Sequence, residues 1–262
     1  MLIIDNIHKT FFPGSVNEKR ALQGVNLTLQ DGDFVTVIGS NGAGKSTLLN
    51  AVAGTFFIDE GRIEIDGVDV TRMPEHERAR YIGRVFQDPM KGTAGKMMIE
   101  ENLALASWRG KRLGLRWSFQ AQQSAQFKEA LKELDLGLED RMSAHVGLLS
   151  GGQRQAVTLL MATLVKPKLL LLDEHTAALD PKTAEKVLQL TERLVKANHL
   201  TTLMITHNMR DALRFGNRLI MMHQGRIVVD VKAEEKVHLD VPDLLALFEK
   251  GAGEVSDEML LS

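Results

Sequence analysis

The sequence predicts an α/β fold, and three stretches predict it. An apolar run, Phe34-Val35-Thr36-Val37-Ile38, passes through the glycine loop Gly39-Ser40-Asn41-Gly42-Ala43-Gly44-Lys45-Ser46-Thr47 into Leu48-Leu49-Asn50-Ala51-Val52-Ala53, which reads as strand, loop and helix. A second glycine loop, Leu149-Ser150-Gly151-Gly152-Gln153, opens directly into Arg154 to Ala162 and reads as a second helix start. A third run, Lys168-Leu169-Leu170-Leu171-Leu172, ends in Asp173 and Glu174 and reads as a buried parallel strand with acids at its C-terminal end.

At 262 residues the chain can bury a sizeable core, and its length suits one domain with subdomains. Acidic and basic residues nearly balance, 34 against 32, so net charge gives no reason to expect nucleic acid or an anionic membrane as the main partner. The absence of cysteine excludes a disulfide framework and thiolate metal sites, and fits a reducing compartment. Met1-Leu2-Ile3-Ile4-Asp5 lacks the basic start and long apolar run of a secretory signal. No segment approaches about 18 consecutive apolar residues, so the expectation is a cytoplasmic chain that can still dock on a membrane protein.

Leu2 to His8 and Ala21 to Gln30 read as strands joined by a polar loop containing Pro13-Gly14. In that loop Phe11 is either a core residue or an aromatic platform for a purine ring. Asp31-Gly32-Asp33 marks a tight turn into the buried strand. The glycine loop that follows matches G-x-x-x-x-G-K-[ST], whose glycines let backbone N–H groups converge on phosphate oxygens at a helix N-terminus. Lys45 would reach the β- and γ-phosphates, Ser46 offers its hydroxyl to Mg²⁺, and Thr47 can bond the α-phosphate. Gly61 to Gly67 alternates apolar and polar and reads as a half-exposed strand. Tyr81 to Gln87 reads as another, stopped by Pro89; Gln87 at its end is either a ligand group or a surface glutamine capping a turn.

From Ile99 to about Val165 the pattern is helical, with Phe127, Ala130, Leu131 and Leu134 at helical spacing. Trp108 and Trp117 either cover a partner helix or plug local core. Ser150 stands as an N-cap, and its helix is either simply capped or a second anion-binding end using the hydroxyl, the glycine N–H groups and the helix dipole. Asp173 suits holding Mg²⁺ through water, and Glu174 suits taking a proton from an attacking water. Pro181 begins a helix to about Ala197, and Thr201 to Thr206 is a buried strand ending in His207, which is either a structural histidine or, at the end of such a strand, a functional one. Arg218 to His223 and Arg226 to Val231 flank Gln224-Gly225 as a hairpin. Asp240-Val241-Pro242-Asp243 starts a short helix, Leu244 to Lys250, before a Gly-rich acidic tail.

The glycine loop, Gln87, Leu149 to Gln153, Leu172-Asp173-Glu174, Ala178-Leu179-Asp180 and His207 occur in this order, and together they make the chain resemble the ATP-binding-cassette (ABC) nucleotide-binding domain over almost its whole length. Leu-Ser-Gly-Gly-Gln is the most specific piece, since other phosphate-loop ATPases lack it. The resemblance implies a phosphate-loop (RecA-like) ATPase core with an antiparallel β subdomain and an α-helical signature-motif subdomain at about residues 90–165, within a domain spanning 1–240. Residues 241–262 would then form a short C-terminal helix and tail.

Two copies would face head to tail, with ATP and Mg²⁺ between the Gly39 to Thr47 loop of one and the Leu149, Ser150, Gly151, Gly152 and Gln153 signature of the other. By the same resemblance Phe11 stacks on adenine, Lys45 and Glu174 are catalytic with Glu174 as general base, and His207 is the γ-phosphate switch. Ser46, Gln87 and Asp173 serve the metal, and Ala178, Leu179 and Asp180 cross the dimer interface. The region from Gln87 to Ile99 and the helical segment would receive the coupling helices of a membrane permease. The implied function is the energy-coupling ATPase of a transporter, with a bacterial importer favoured. It would sit on the inner face of the cell membrane and be served by a solute-binding lipoprotein, in a subgroup linked to tryptophan and tyrosine.

An export subunit shares every motif. A mechanical ATPase on DNA or ribosomes would carry a long coiled coil between the two glycine motifs or two cassettes in one chain; neither is seen, nor is a basic stripe, so no nucleic acid is expected. A catalytically inactive binding module would be expected to lack Lys45, Glu174 or His207, and all three are present. Two residues depart from the family pattern: Phe11 replaces the commoner tyrosine with its π-face retained, and His175 stands where proline is usual. The second change is either a tolerated loop substitution or one that alters the hydrolysis rate by freeing the backbone.

Overall fold

A computed structural model describes residues 1–111 and 121–252; the expectations for Trp117 and for the acidic tail lie outside the described residues. The chain opens with strands β1 (Leu2–Phe11), β2 (Lys19–Leu29) and β3 (Phe34–Ile38), helix α1 (Lys45–Ala53), strands β4 (Glu60–Ile65) and β5 (Val68–Asp69), and the single turn α2 (Glu75–Arg78). Next come β6 (Ile82–Val85), α3 (Ile99–Ser107), α4 (Ala121–Lys132), a 3-10 turn (Val146–Leu148), α5 (Gly151–Leu164), β7 (Leu169–Asp173) and α6 (Pro181–Asn198). The last elements are β8 (Thr202–Ile205), α7 (Met209–Arg214), β9 (Arg218–His223), β10 (Arg226–Val231), α8 (Ala233–Lys236) and α9 (Val241–Ala252). They form two compact units, one from Met1–Arg78 together with the chain from His199 onward, the other from Ala79–Asn198.

In the first unit, an antiparallel sheet has the order β2-β1-β4-β5. Leu2 and Ile4 of β1 face Leu29 and Leu27 on one side and Ile65 and Ile63 on the other, and all six are buried, which is the period-2 burial expected of a sheet with one covered face. Strand β1 runs past His8, because Thr10 and Phe11 keep pairing with Arg20 and Lys19, so Phe11 ends a strand instead of lying in the loop. The turn Asp66-Gly67, with φ of 52° and 78°, folds β5 back on β4, a strand too short for sequence periodicity to register.

The same unit holds β3 between β8 and β9, all parallel, with β10 antiparallel on β9. Every residue of β3 and β8 is buried, which is why both read as apolar runs without alternation. Leu244 and Phe248 of α9, with Met209 and Ala212 of α7, pack with Ile38, Leu219, Met221 and Val231 in one apolar cluster. Helix α9 begins at Val241 and not at Leu244: Asp240 and Asp243 accept each other's backbone N–H at 2.9 and 3.0 Å, and Pro242 occupies the first turn, where its missing N–H costs nothing.

Helix α1 ends at Gly54, whose φ of 84° lets its N–H reach the Asn50 and Ala51 carbonyls. Buried Arg78 takes up the next carbonyls, Ala51 at 2.8 Å and Val52 at 2.9 Å, and also holds those of Met73 and Thr71 at 2.7 and 3.1 Å.

In the second unit β6 and β7 run parallel, from Ile82 beside Leu169 to Val85 beside Leu172. Phe127, Leu131 and Leu134 are buried, as their helical spacing predicts. Helix α6 buries Val187, Leu188, Leu190, Thr191, Leu194 and Val195 along one stripe. Among the described residues no helix is long and apolar enough to cross a membrane.

Candidate nucleotide site

In the first unit the glycine loop is shaped by backbone that allows no side chain at two points. A Cβ on Gly39 would stand 2.2 Å from the Met222 carbonyl oxygen, and one on Gly44, at φ 101°, would stand 2.7 Å from that of Ala21. The Ala43 carbonyl accepts the Gly225 N–H at 2.9 Å, so β2 and the β9–β10 turn together clamp the loop. Gly44 has no side chain to cap α1 and the first turn holds no acid, so the positive end of the helix is offered to an external anion.

Lys45 is 7% exposed and its Nζ donates to the Gly39 and Ser40 carbonyls at 2.5 and 3.2 Å. Those carbonyls hold the ammonium over the loop, and an anionic phosphate oxygen is the stronger acceptor. Ser46 is exposed and Thr47 half-buried in the first turn. Lys19 of β2, which the sequence reading passed over because it lies far upstream, places its Nζ 3.8 Å from where a Gly42 Cβ would be.

Phe11 is half-buried, with its ring edge-to-face against Phe56 at 5.2 Å and the Lys9 ammonium 5.6 Å from its centroid. His207 is exposed just after β8. Its backbone is fixed on the following side: the Asn208 N–H donates to Thr206 Oγ1 at 3.1 Å, and Asn208 Oδ1 caps α7 by accepting from Arg210 and Asp211.

In the second unit Asp173 and Glu174 are half-buried at the end of β7. The Arg84 guanidinium lies 3.9 Å from Asp173 and 4.5 Å over the Phe86 ring, a neighbour that no motif announces because it comes from β6. Glu174 has φ 44°, in the left-handed region that a side chain rarely adopts, and its carbonyl accepts the Ala177 N–H at 3.0 Å. Asp180 accepts from Thr183 at the start of α6, and these hydrogen bonds hold its carboxyl below the usual carboxylate range. Gln87 is exposed after β6. Buried Asn102 secures the loop beyond it, accepting the Ala94 N–H at 2.8 Å and donating to the Met98 carbonyl at 2.9 Å.

Ser150 caps α5 in a reciprocal pair with Gln153, at 3.3 and 3.2 Å. Arg154 pins the turn before it through the Val146, Gly147 and Leu149 carbonyls. A Cβ on Gly152 would stand 2.1 Å from Thr183 Cγ2, so α5 and α6 approach through that glycine. Trp108 stands partly exposed just past the end of α3.

The candidate residues thus divide by unit, with the glycine loop, Phe11 and His207 in the first and Gln87, Asp173, Glu174, the signature and Ala178 to Asp180 in the second. For a metal, the hydroxyl of Ser46, the amide of Gln87 and the carboxylate of Asp173 are all oxygen donors, which is the chemistry of a hard cation such as Mg²⁺.

Strand, clamped glycine loop, buried lysine and acid-tipped strand define a phosphate-loop nucleoside triphosphatase. Residues 22–177 match the family model described as ABC transporter, and the chain belongs to that family. It is 44% identical over 250 residues to a tyrosine transport ATP-binding protein of Clostridioides difficile, covering 95% of this chain and 99% of the other. It is also 32% identical over 258 residues to an energy-coupling factor transporter ATP-binding protein of Clostridium acetobutylicum, covering 94% and 88%. The dimeric structure of the ATP-binding cassette MJ0796 in a post-hydrolysis state, bound to ADP and Pi, superposes with a TM-score of 0.76 at 30% identity, over 89% of this chain and 99% of that one. The chain therefore has the ABC cassette fold and is an ATP-binding, ATP-hydrolysing transporter subunit.

Proposed function

We propose that this chain drives a bacterial importer of a small solute, with aromatic amino acids such as tyrosine as the substrate class. The observation that carries this reading is the 44% identity, over nearly the whole of both chains, to a tyrosine transport ATP-binding protein. In this reading residues 1–240 are the nucleotide-binding domain, 90–165 its helical subdomain, and 241–262 a terminal helix and tail. The chain sits on the inner face of the membrane, where the region from Gln87 to Ile99 and the helical subdomain meet the permease, and a solute-binding protein delivers solute to the permease from outside.

Two copies pair head to tail, so that ATP bound by the glycine loop of one meets Ser150, Gly151 and Gly152 of the other, and Ala178, Leu179 and Asp180 cross the interface. Phe11 stacks on the adenine, and Lys45 and the loop N–H groups carry the phosphate charge. Glu174 takes a proton from the water that attacks the γ-phosphorus, the bond to the ADP oxygen breaks, and His207 contacts the departing phosphoryl group. Mg²⁺, when bound by Ser46, Gln87 and Asp173, supplies charge neutralisation on the phosphates.

Glu174→Gln is expected to bind ATP without cleaving it and to elute as a dimer with ATP and Mg²⁺; a variant that stays monomeric overturns the sandwich. A mild-detergent pulldown of the tagged chain from its native membranes, read by mass spectrometry, tests the role. A multi-span permease with a solute-binding protein supports import, whereas ribosomes or DNA without a permease overturn the transporter reading.

A further inference from the structure

The residue after Glu174 is buried. His175 is 2% exposed, and its Nε2 lies 3.0 Å from Thr191 Oγ1 on α6. The Thr191 hydroxyl has one proton, which it donates to the Val187 carbonyl at 2.8 Å, one turn back along the helix. The imidazole is therefore the donor, so Nε2 carries a proton. Burial pushes its pKa down to about 4, which agrees with a ring that stays neutral around pH 7.

Left to its own sterics a glutamate does not hold φ 44°, and such a conformation persists only where the surroundings impose it. On the C-terminal side of Glu174 two restraints are visible: the Ala177 N–H on the Glu174 carbonyl, and the side chain of His175 tied into α6. A proline at this position would restrain the chain through its own ring. Histidine has no such ring closure, so the restraint passes to the far end of its side chain.

We propose that His175 is a positioning residue for hydrolysis: its Nε2–H bond to Thr191 anchors the peptide following Glu174 to α6 and keeps the Glu174 backbone in its left-handed conformation. This rests on Glu174 acting as the general base. The effect belongs to the chemical step and leaves nucleotide binding alone, because neither His175 nor Thr191 is among the nucleotide-binding residues.

The test is steady-state hydrolysis by the full chain, with kcat and KM for ATP measured separately and unfolding followed on the same samples. Thr191→Val keeps the shape but removes the acceptor, and is expected to lower kcat about fivefold with KM unchanged, the loss of one ordinary hydrogen bond. Thr191→Ser retains the hydroxyl and is expected to restore kcat to within about twofold. A Thr191→Val enzyme with wild-type kcat, a Thr191→Ser enzyme as slow as the valine variant, or a loss that only follows the unfolded fraction would each overturn the proposal. Nitrogen-15 spectra of the histidines in the unaltered chain give a readout that survives a misfolded variant: His175 is expected as the Nε2–H tautomer at pH 7, and an Nδ1–H tautomer sinks the idea. Failure of the general-base reading shows elsewhere, as wild-type turnover in Glu174→Gln.

Discussion

At Gly152 one hydrogen separates a tight helix contact from a collision, since a Cβ there would stand 2.1 Å from Thr183 Cγ2. The second glycine of the signature is thus required by α6 independently of any ligand. Gly152→Ala is expected to cost about 1–3 kcal/mol in urea unfolding, and Thr183→Ser, which removes the obstructing methyl, to recover most of it. His175 carries a second expectation. Its pKa is near 4 when folded and near 6.5 when exposed, so between those values the unfolded chain binds a proton that the folded chain refuses. Stability is full above pH 6.5 and is lost as the pH falls toward 4, by about 3 kcal/mol in all. Urea midpoints from pH 7 to pH 5 should show that slope, and a His175→Gln variant should show less of it. Lys45, Glu174 and His207 were legible because motif spacing names them. The burial of His175 was not, because its partner Thr191 stands on another element.

At the scale of elements, helix α1 is closed by a residue from a different turn of chain: Arg78 holds the Ala51, Val52, Met73 and Thr71 carbonyls from a buried position. Arg78→Met would fill the space but take the guanidinium donor from four carbonyls, that of Ala51 keeping the Gly54 N–H, and is expected to lower stability by about 3 kcal/mol or more, read from denaturant midpoints at constant slope. No sequence pattern forecasts this, since an arginine in a polar stretch reads as surface. Strands β3, β7 and β8 were legible because buried parallel strands are uninterrupted apolar runs. The end of β1 was hidden by Lys9 and Thr10, whose pairing with β2 outweighs their polarity, and the start of α9 by Pro242, which reads as a breaker unless its first-turn position is known. In the candidate site the two glycine loops were visible as local strings, whereas Arg84, Lys19 and Asn102 come into play only through tertiary approach.

Considered as a molecule, the chain places the last of its described helices under its first motif. Phe248 and Leu244 of α9 share a cluster with Ile38, the residue before Gly39. Phe248→Ala is expected to cost about 3–5 kcal/mol and to weaken ATP binding, measurable together as a lowered melting temperature and a raised Kd. The clamp on the glycine loop extends the same relation to the backbone, since Gly39 abuts Met222 and Ala43 bonds Gly225. A ribosome that has finished the loop has therefore not yet made the parts that close it, because synthesis runs from the N-terminus and these contacts join distant stretches. Nascent chains arrested before residue 222 should emerge with an open, nucleotide-incompetent loop, and competence should arrive only once the β9–β10 turn has cleared the exit tunnel.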